Sequence, residues 1–305
     1  MHMPGKAFAI SIILMVHVLH MLAAPTPYPL DGIKSLYRKA DKFFNLSHPT
    51  PETDLMALNL FGKVIEEAEN TRSLEELLFQ SYIKKGVLLD VKGSYTEALT
   101  AYAGALRCFR RHPDWNDSLL FKVYIYAGPD YYHLDNFDTA YSMLNKAELL
   151  TEKYPTLQER DRLYNALGAL YYESGNYLQG RNYFNRALEI IRKEKPDDKT
   201  STINFGNNIA SCLYKLGAYR ESLEMYRHLG QFGKYSDEIY LIYGQILYRP
   251  GRLYACNGPL PKGKPGESTR GFQRDGLYSI PDGKRGFSPI LSRQVADEGS
   301  HRPPV

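Results

Sequence analysis

An all-α fold of stacked helix-turn-helix repeats, an α-solenoid, is predicted by three observations in this 305-residue chain. Turn-forming residues recur at Gly93, Asp135, Gly175 and Gly217, each followed two places on by an aromatic residue: Tyr95, Phe137, Tyr177 and Tyr219. Small residues recur at Ala57, Ala98, Ala140, Gly180 and Ser222, at successive spacings of 41, 42, 40 and 42 residues. Four places after each comes a large apolar residue, Phe61, Tyr102, Leu144, Phe184 or Tyr226, and three places further Val64, Ala105, Ala147, Ala187 or Leu229. A fixed period of this size marks units that cannot bury an apolar face alone and stack to do so.

Each observation has a packing reason. A small residue lets the two helices of a hairpin approach to within about 8–10 Å, and the large residue one turn on fills the space beside the crossing. A glycine in the turn supplies a positive φ at the helix end at little steric cost. Segment 165–196 shows the whole pattern: Leu167, Gly168 and Tyr171, then Gly175 and Tyr177, then Phe184, Ala187 and the terminating Pro196.

The chain begins with an export-like segment over residues 1–24. Lys6 precedes an apolar run over residues 7–22, and Ala23 and Ala24 follow. That run is shorter than the roughly 20 residues of a membrane span and is interrupted by His17 and His20. Pro25 is a poor residue to follow a cleavage site, so the segment is either a cleaved signal or an uncleaved anchor.

The repeat array is expected over residues 31–255. Residues 32–46 form an amphipathic stretch with Leu36, Ala40, Phe43 and Phe44 on one face, ended by Pro49 and Pro51. The next helix has Thr50 or Glu52 in its cap region, acidic Glu52 and Asp54 in the first turn, and Ala57, Phe61, Val64 and Ile65 at helical spacing. It reads as the second helix of an incomplete unit. Four fuller units follow, three of them ended by Pro113, Pro155 and Pro196. Gly128-Pro129 falls inside the first helix of the second full unit, where proline removes a backbone donor, so a kink or short break is expected there.

A fifth unit starts with a helical pattern over residues 238–255 and a turn at Gly258. Its second helix is due from Leu260, but residues 256–305 have a Pro or Gly every few positions and little to bury. That stretch is either a native disordered tail or the product of a truncation or frame shift in a longer repeat protein.

Charge and chemistry exclude more than they suggest. The formal net charge of +4 resides in residues 252–305, so the array is neutral and offers no basis for nucleic-acid binding. Cys108, Cys212 and Cys256 lie in different units, Cys108 more than two repeats from Cys212 and so too far to pair with it, and they read as buried small apolar residues. The eight histidines lack zinc-ligand spacing, and neither a phosphate-binding glycine loop nor a nucleophile elbow occurs. No cofactor, no metal and no catalytic residues are expected.

The quoted residues resemble the tetratricopeptide repeat: Leu167, Gly168 and Tyr171 match its L-G-x-x-Y, and the small, aromatic and alanine positions match its second helix. The period here is near 41 residues rather than about 34, which adds about two helical turns to each unit. Such long units look like those of kinesin light chains and of the arrays in exported bacterial proteins that precede CHAT peptidase domains. No CHAT catalytic segment follows, so protease activity is not implied. In the family, first helices line a groove, and the Leu167-Gly168 register carries that groove onto Tyr132, Tyr172 and Tyr214 at one equivalent position and Asn165 and Asn207 at another. The resemblance therefore implies an exported scaffold for a protein or peptide partner. A second possibility is the regulatory array of a larger enzyme or signalling protein.

Overall fold

The computed structural model describes residues 29–69 and 71–229. These form ten α-helices and two short 3-10 turns, with no strand among the described residues. Two units meet between Lys85 and Gly86, inside one helix, and are described separately.

The first unit contains α1 (Leu30–Phe44), α2 (Pro51–Ala68) and the leading turns of α3 (Glu75–Val91). Thr50 caps α2 reciprocally with Thr53: each side-chain hydroxyl accepts the other's backbone N–H, at 2.8 and 3.3 Å. Ala57, Phe61, Val64 and Ile65 are buried as their spacing requires. On α1 the buried pair is Ile33 and Ala40, while Leu36, Phe43 and Phe44 are half-buried. The apolar stripe thus begins one turn earlier than the sequence suggested, because the helix itself starts at Leu30. Tyr37 and Phe44 pack edge-on against Phe61 at 5.9 and 6.0 Å. Lys84 of α3 pairs with Asp41 and donates to the Tyr37 hydroxyl at 3.0 Å. Burial works against its charge, but these two partners more than compensate and raise its pKa.

The second unit contains the end of α3, then α4 (Tyr95–Arg110), α5 (Leu120–His133), α6 (Phe137–Lys153), α7 (Arg160–Glu173), α8 (Tyr177–Glu194), α9 (Lys199–Lys215) and α10 (Tyr219–Leu229). Sequential helices pack as antiparallel hairpins: α5 with α6, α7 with α8, α9 with α10. Gly93, Gly175 and Gly217 have φ of 75°, 81° and 79°, and Asp135 takes the same left-handed conformation at 57°. These turns close the helices by the expected bonds from beyond the end. Ser94 N–H reaches the Leu89 carbonyl, Asn136 that of Tyr131, and Ala218 that of Leu213, all at 2.9 Å. Asn136 and Asn176 then cap the next helices by accepting from Thr139 and Gln179 at 3.2 Å.

The crossings carry the period. Ala98, Ala140, Gly180 and Ser222 are all buried. A Cβ at Gly180 would lie 3.0 Å from the Gly168 carbonyl oxygen and 3.2 Å from the Tyr172 nitrogen, so backbone meets backbone there. The large residues Tyr102, Leu144 and Phe184 fit over Gly86, Gly128 and Gly168 of the preceding helix, always sixteen residues upstream. Tyr226 packs in a cluster with Ala210, which holds the fourth such place.

The short break expected at Gly128-Pro129 does not occur. Helix α5 runs without a break from Leu120 to His133, with Pro129 inside it. Gly128 is the place where Leu144 enters, and Ile125, Ala127, Gly128 and Pro129 are all buried. Packing of this face offsets the donor that proline lacks. Residues 1–24, the helix expected over 238–255, Cys256 and the stretch 256–305 lie outside the described residues.

Candidate functional site

Tyr132, Tyr172 and Tyr214 stand four residues after Gly128, Gly168 and Ala210, at the last turns of α5, α7 and α9. Each is half-buried and packs edge-on against the aromatic residue opening its own second helix. Tyr132 meets Phe137 at 5.5 Å, Tyr172 meets Tyr177 at 5.2 Å, and Tyr214 meets Tyr219 at 5.6 Å. The aromatic residue two places past each turn therefore braces the ring of the expected groove position from across that turn. Burial raises the hydroxyl of Tyr132 to about 12 and that of Tyr172 further, so both stay neutral donors.

The amide position is arranged differently in its two occurrences. Asn165 on α7 is only 3% exposed, and its Oδ1 accepts from Asn208 Nδ2 of α9 at 3.1 Å. Asn207, the expected counterpart, is half-buried, with an Oδ1 that makes no hydrogen bond. Helices α7 and α9 thus meet one residue out of the register that equal spacing suggests. Asn208 was missed for that reason; its 43-residue separation from Asn165, against 42 for Asn207, is the only signal the sequence holds.

A second polar group was also missed. Tyr126 on α5 donates to Glu159 at 2.6 Å, and Lys122 pairs with the same carboxylate at 2.9 Å. Arg162 of α7 lies 3.7 Å from Glu159 and 4.9 Å from the centre of the Tyr126 ring. Burial alone would raise the Glu159 carboxyl; Lys122 and Arg162, helped by the two hydrogen bonds, hold it below the ordinary value. Glu159 itself sits at φ 65°, immediately before α7. Nothing in the repeat grammar marks it, since it falls in the variable connection between hairpins.

Among the described residues no three His, Cys, Asp or Glu side chains are grouped to hold a metal ion. No described helix is long and apolar enough to cross a membrane.

Comparisons with known proteins agree with the helical-repeat fold. The family model described as "Tetratricopeptide repeat" matches residues 159–229, which span α7 to α10. A TPR repeat-containing protein of Methanocaldococcus jannaschii is 26% identical over 204 residues, 64% of this chain and 31% of that protein. The anaphase-promoting complex subunit CDC16 of Saccharomyces cerevisiae is 22% identical over 247 residues, 75% of this chain and 27% of that protein. The chain thus spans less than a third of the length of these relatives. Among solved structures, the nearly identical TPR-like repeats of a putative kinesin light chain from Podosopora anserina superpose with a TM-score of 0.51. That match has 13% identity and covers 66% of this chain and 93% of that one. The pilF protein of Pseudomonas aeruginosa superposes at 0.52 with 17% identity, covering 70% and 82%. These structural likenesses speak for the fold alone. Residues 159–229 match the tetratricopeptide repeat family, and the hairpins that precede them share its helical-repeat architecture.

Proposed function

We propose that the chain is a protein-binding scaffold that receives an extended peptide, or an extended segment of a protein, along its first helices. The observation that carries this reading is the recurrence of Tyr132, Tyr172 and Tyr214 at one position of three successive first helices. Each ring is half-exposed and held edge-on from across its turn. Rings fixed in this way offer contact area at little cost in side-chain entropy. The Oδ1 of Asn207 is buried and makes no hydrogen bond, so the rings rather than this amide oxygen carry the contact. Asn165 acts through Asn208, holding the neighbouring helix in place. The fold class is one that mediates protein–protein contacts, and one relative is by its name a subunit of a larger complex.

Replacing Tyr132, Tyr172 and Tyr214 together by Ala tests this. Full-length wild-type and variant chains would be immobilised, and captured proteins compared by mass spectrometry, with circular dichroism as a check on helicity. Loss of a partner by a variant that stays helical supports the groove; an unchanged set of partners refutes it.

We further propose that the scaffold works outside the cytoplasm, on the strength of Lys6 and the apolar run over residues 7–22. Fractionation of cells, followed by amino-terminal sequencing of the chain recovered, tests both export and cleavage. Recovery from the cytoplasmic fraction alone counts against it.

A further inference from the structure

The last turn of α3 carries Asp90, and α5 carries Asp130 two residues beyond Gly128. Both belong to the second unit, and both are buried: Asp90 is 8% exposed and Asp130 0%. Neither oxygen of Asp130 has a hydrogen bond of good geometry, and the buried hydroxyl of Tyr102 lacks one too. An ionised carboxylate so placed is costly, and a second one beside it makes matters worse.

The groups acting on this pair come from several helices. For Asp130 burial is the largest influence, followed by the charge of Asp90 and by Asp90 as a hydrogen-bond partner, all raising its pKa. Burial likewise raises Asp90, against the opposing pull of Asp130 and of Arg162 from α7. From α4, Tyr95 and Tyr102 are both raised, first by burial and then by the two carboxyls, which keeps their hydroxyls neutral. From α5 itself Tyr126 is also raised, chiefly by burial. Helix α6 presents Leu144 to α5 at Gly128, an apolar contact. The cation that reaches Asp90 is therefore Arg162, and it is already engaged with Glu159 and the Tyr126 ring.

We propose that Asp90 and Asp130 share one proton in the folded chain and so form an acid-favoured clamp between the end of α3 and helix α5. One carboxyl, protonated, becomes the donor and the other accepts, which gives Asp130 the hydrogen bond it lacks. Folding then takes one proton from solvent, and the pair goes from two negative charges to one. A rise in pH removes that proton, places two like charges in a buried setting, and loosens the junction between these hairpins.

The sign follows from the raised folded value. Stability from the clamp is fully present below the ordinary carboxylate range, and it is lost as pH climbs toward the folded value of Asp130, up at about 9. Across that window the unfolding constant grows by at most about tenfold per pH unit for the one proton. The urea midpoint of the full-length chain, measured from mildly acidic to alkaline pH, is the experiment, with Asp130→Asn as the variant. Asn keeps a donor and cannot ionise. Asp161 and Glu173 are also raised by burial, so the diagnostic quantity is the difference between the two chains. The wild type should lose stability with rising pH more steeply than D130N, and D130N should be the more stable at the alkaline end. Equal slopes overturn the clamp. Should D130N fail to fold, carbon-13 titration of aspartate carboxyls in the wild type decides. An Asp90 or Asp130 carboxyl still protonated at neutral pH upholds the shared proton. Both titrating in the ordinary range, about 4, overturn it.

Discussion

Leu144 occupies the space that a Cβ at Gly128 would need: its Cγ and Cδ2 would both lie 2.7 Å from that atom. Gly128→Ala therefore sets two effects against each other. Alanine favours the helix interior by up to about 1 kcal/mol, but forcing a methyl against a packed Leu costs about 1–3 kcal/mol. Cγ is not the free end of the side chain, so rotation alone cannot clear it, and the carbonyl oxygen of Ala140 stands behind at 3.5 Å. A net loss of stability is expected from chemical denaturation. Leu144→Ala alone should cost about 2–5 kcal/mol, and the double variant should cost less than the two singles combined. Simple additivity would mean the two positions do not share this space.

That contact also shows how far the sequence could be read. Small and large residues of the second helices stood out because they recur within a few residues of a turn, and all five large ones are buried. Their receivers on the first helices were legible only at Gly168. Gly128 was hidden by the proline beside it, which local rules read as a break although packing overrides them. The positions expected to line a groove were legible only in part. Equal register placed Tyr132, Tyr172 and Tyr214 at matching helix ends, whereas contacts between neighbouring first helices depend on how one helix slides past the next. Asn208 and Glu159 could not be found from spacing within a unit, because their partners lie in another one.

Asn208→Ala should destabilise the chain by about 1–3 kcal/mol, since it leaves the buried Oδ1 of Asn165 without its donor. Removing both amides together should cost less than the sum of the two single changes, because no orphan remains. The same two changes at Asn207, whose Oδ1 makes no bond, should show no such coupling. Urea denaturation of the four chains measures the interaction directly. A coupling near zero between positions 165 and 208 would dismiss the inter-repeat bond.

Tyr126→Phe tests the polar group at the start of α7. The hydroxyl lies 2.6 Å from Glu159, and a hydrogen bond to a charged group contributes about 1.5–3 kcal/mol. Lys122 and Arg162 remain to hold the carboxylate, so the loss should fall toward the lower end of that range. The Glu159 pKa, followed by NMR, should rise in the variant, because one of the bonds that lowers it is gone. Since its folded value lies below the ordinary one, stability from Glu159 is present above the ordinary carboxylate range and lost as pH falls through the folded value. Tyr126→Phe should thus be most harmful near neutral pH and nearly silent in strong acid.

Cys212 gives a kinetic reading of the array. It is buried on α9, and burial pushes its thiol up to about 12. Only the thiolate attacks an alkylating reagent, so in the folded chain this cysteine should be inert at neutral pH. Its modification should instead require local opening of the α9–α10 hairpin. The rate, read peptide by peptide by mass spectrometry, should climb with urea well below the global midpoint if that hairpin opens on its own. Ser222→Ala, which removes the 2.8 Å bond from the Ser222 hydroxyl to the Ala210 carbonyl at the crossing of these two helices, should raise the rate severalfold. Rapid labelling of Cys212 in the untreated wild type would mean that α9 and α10 do not close over the thiol.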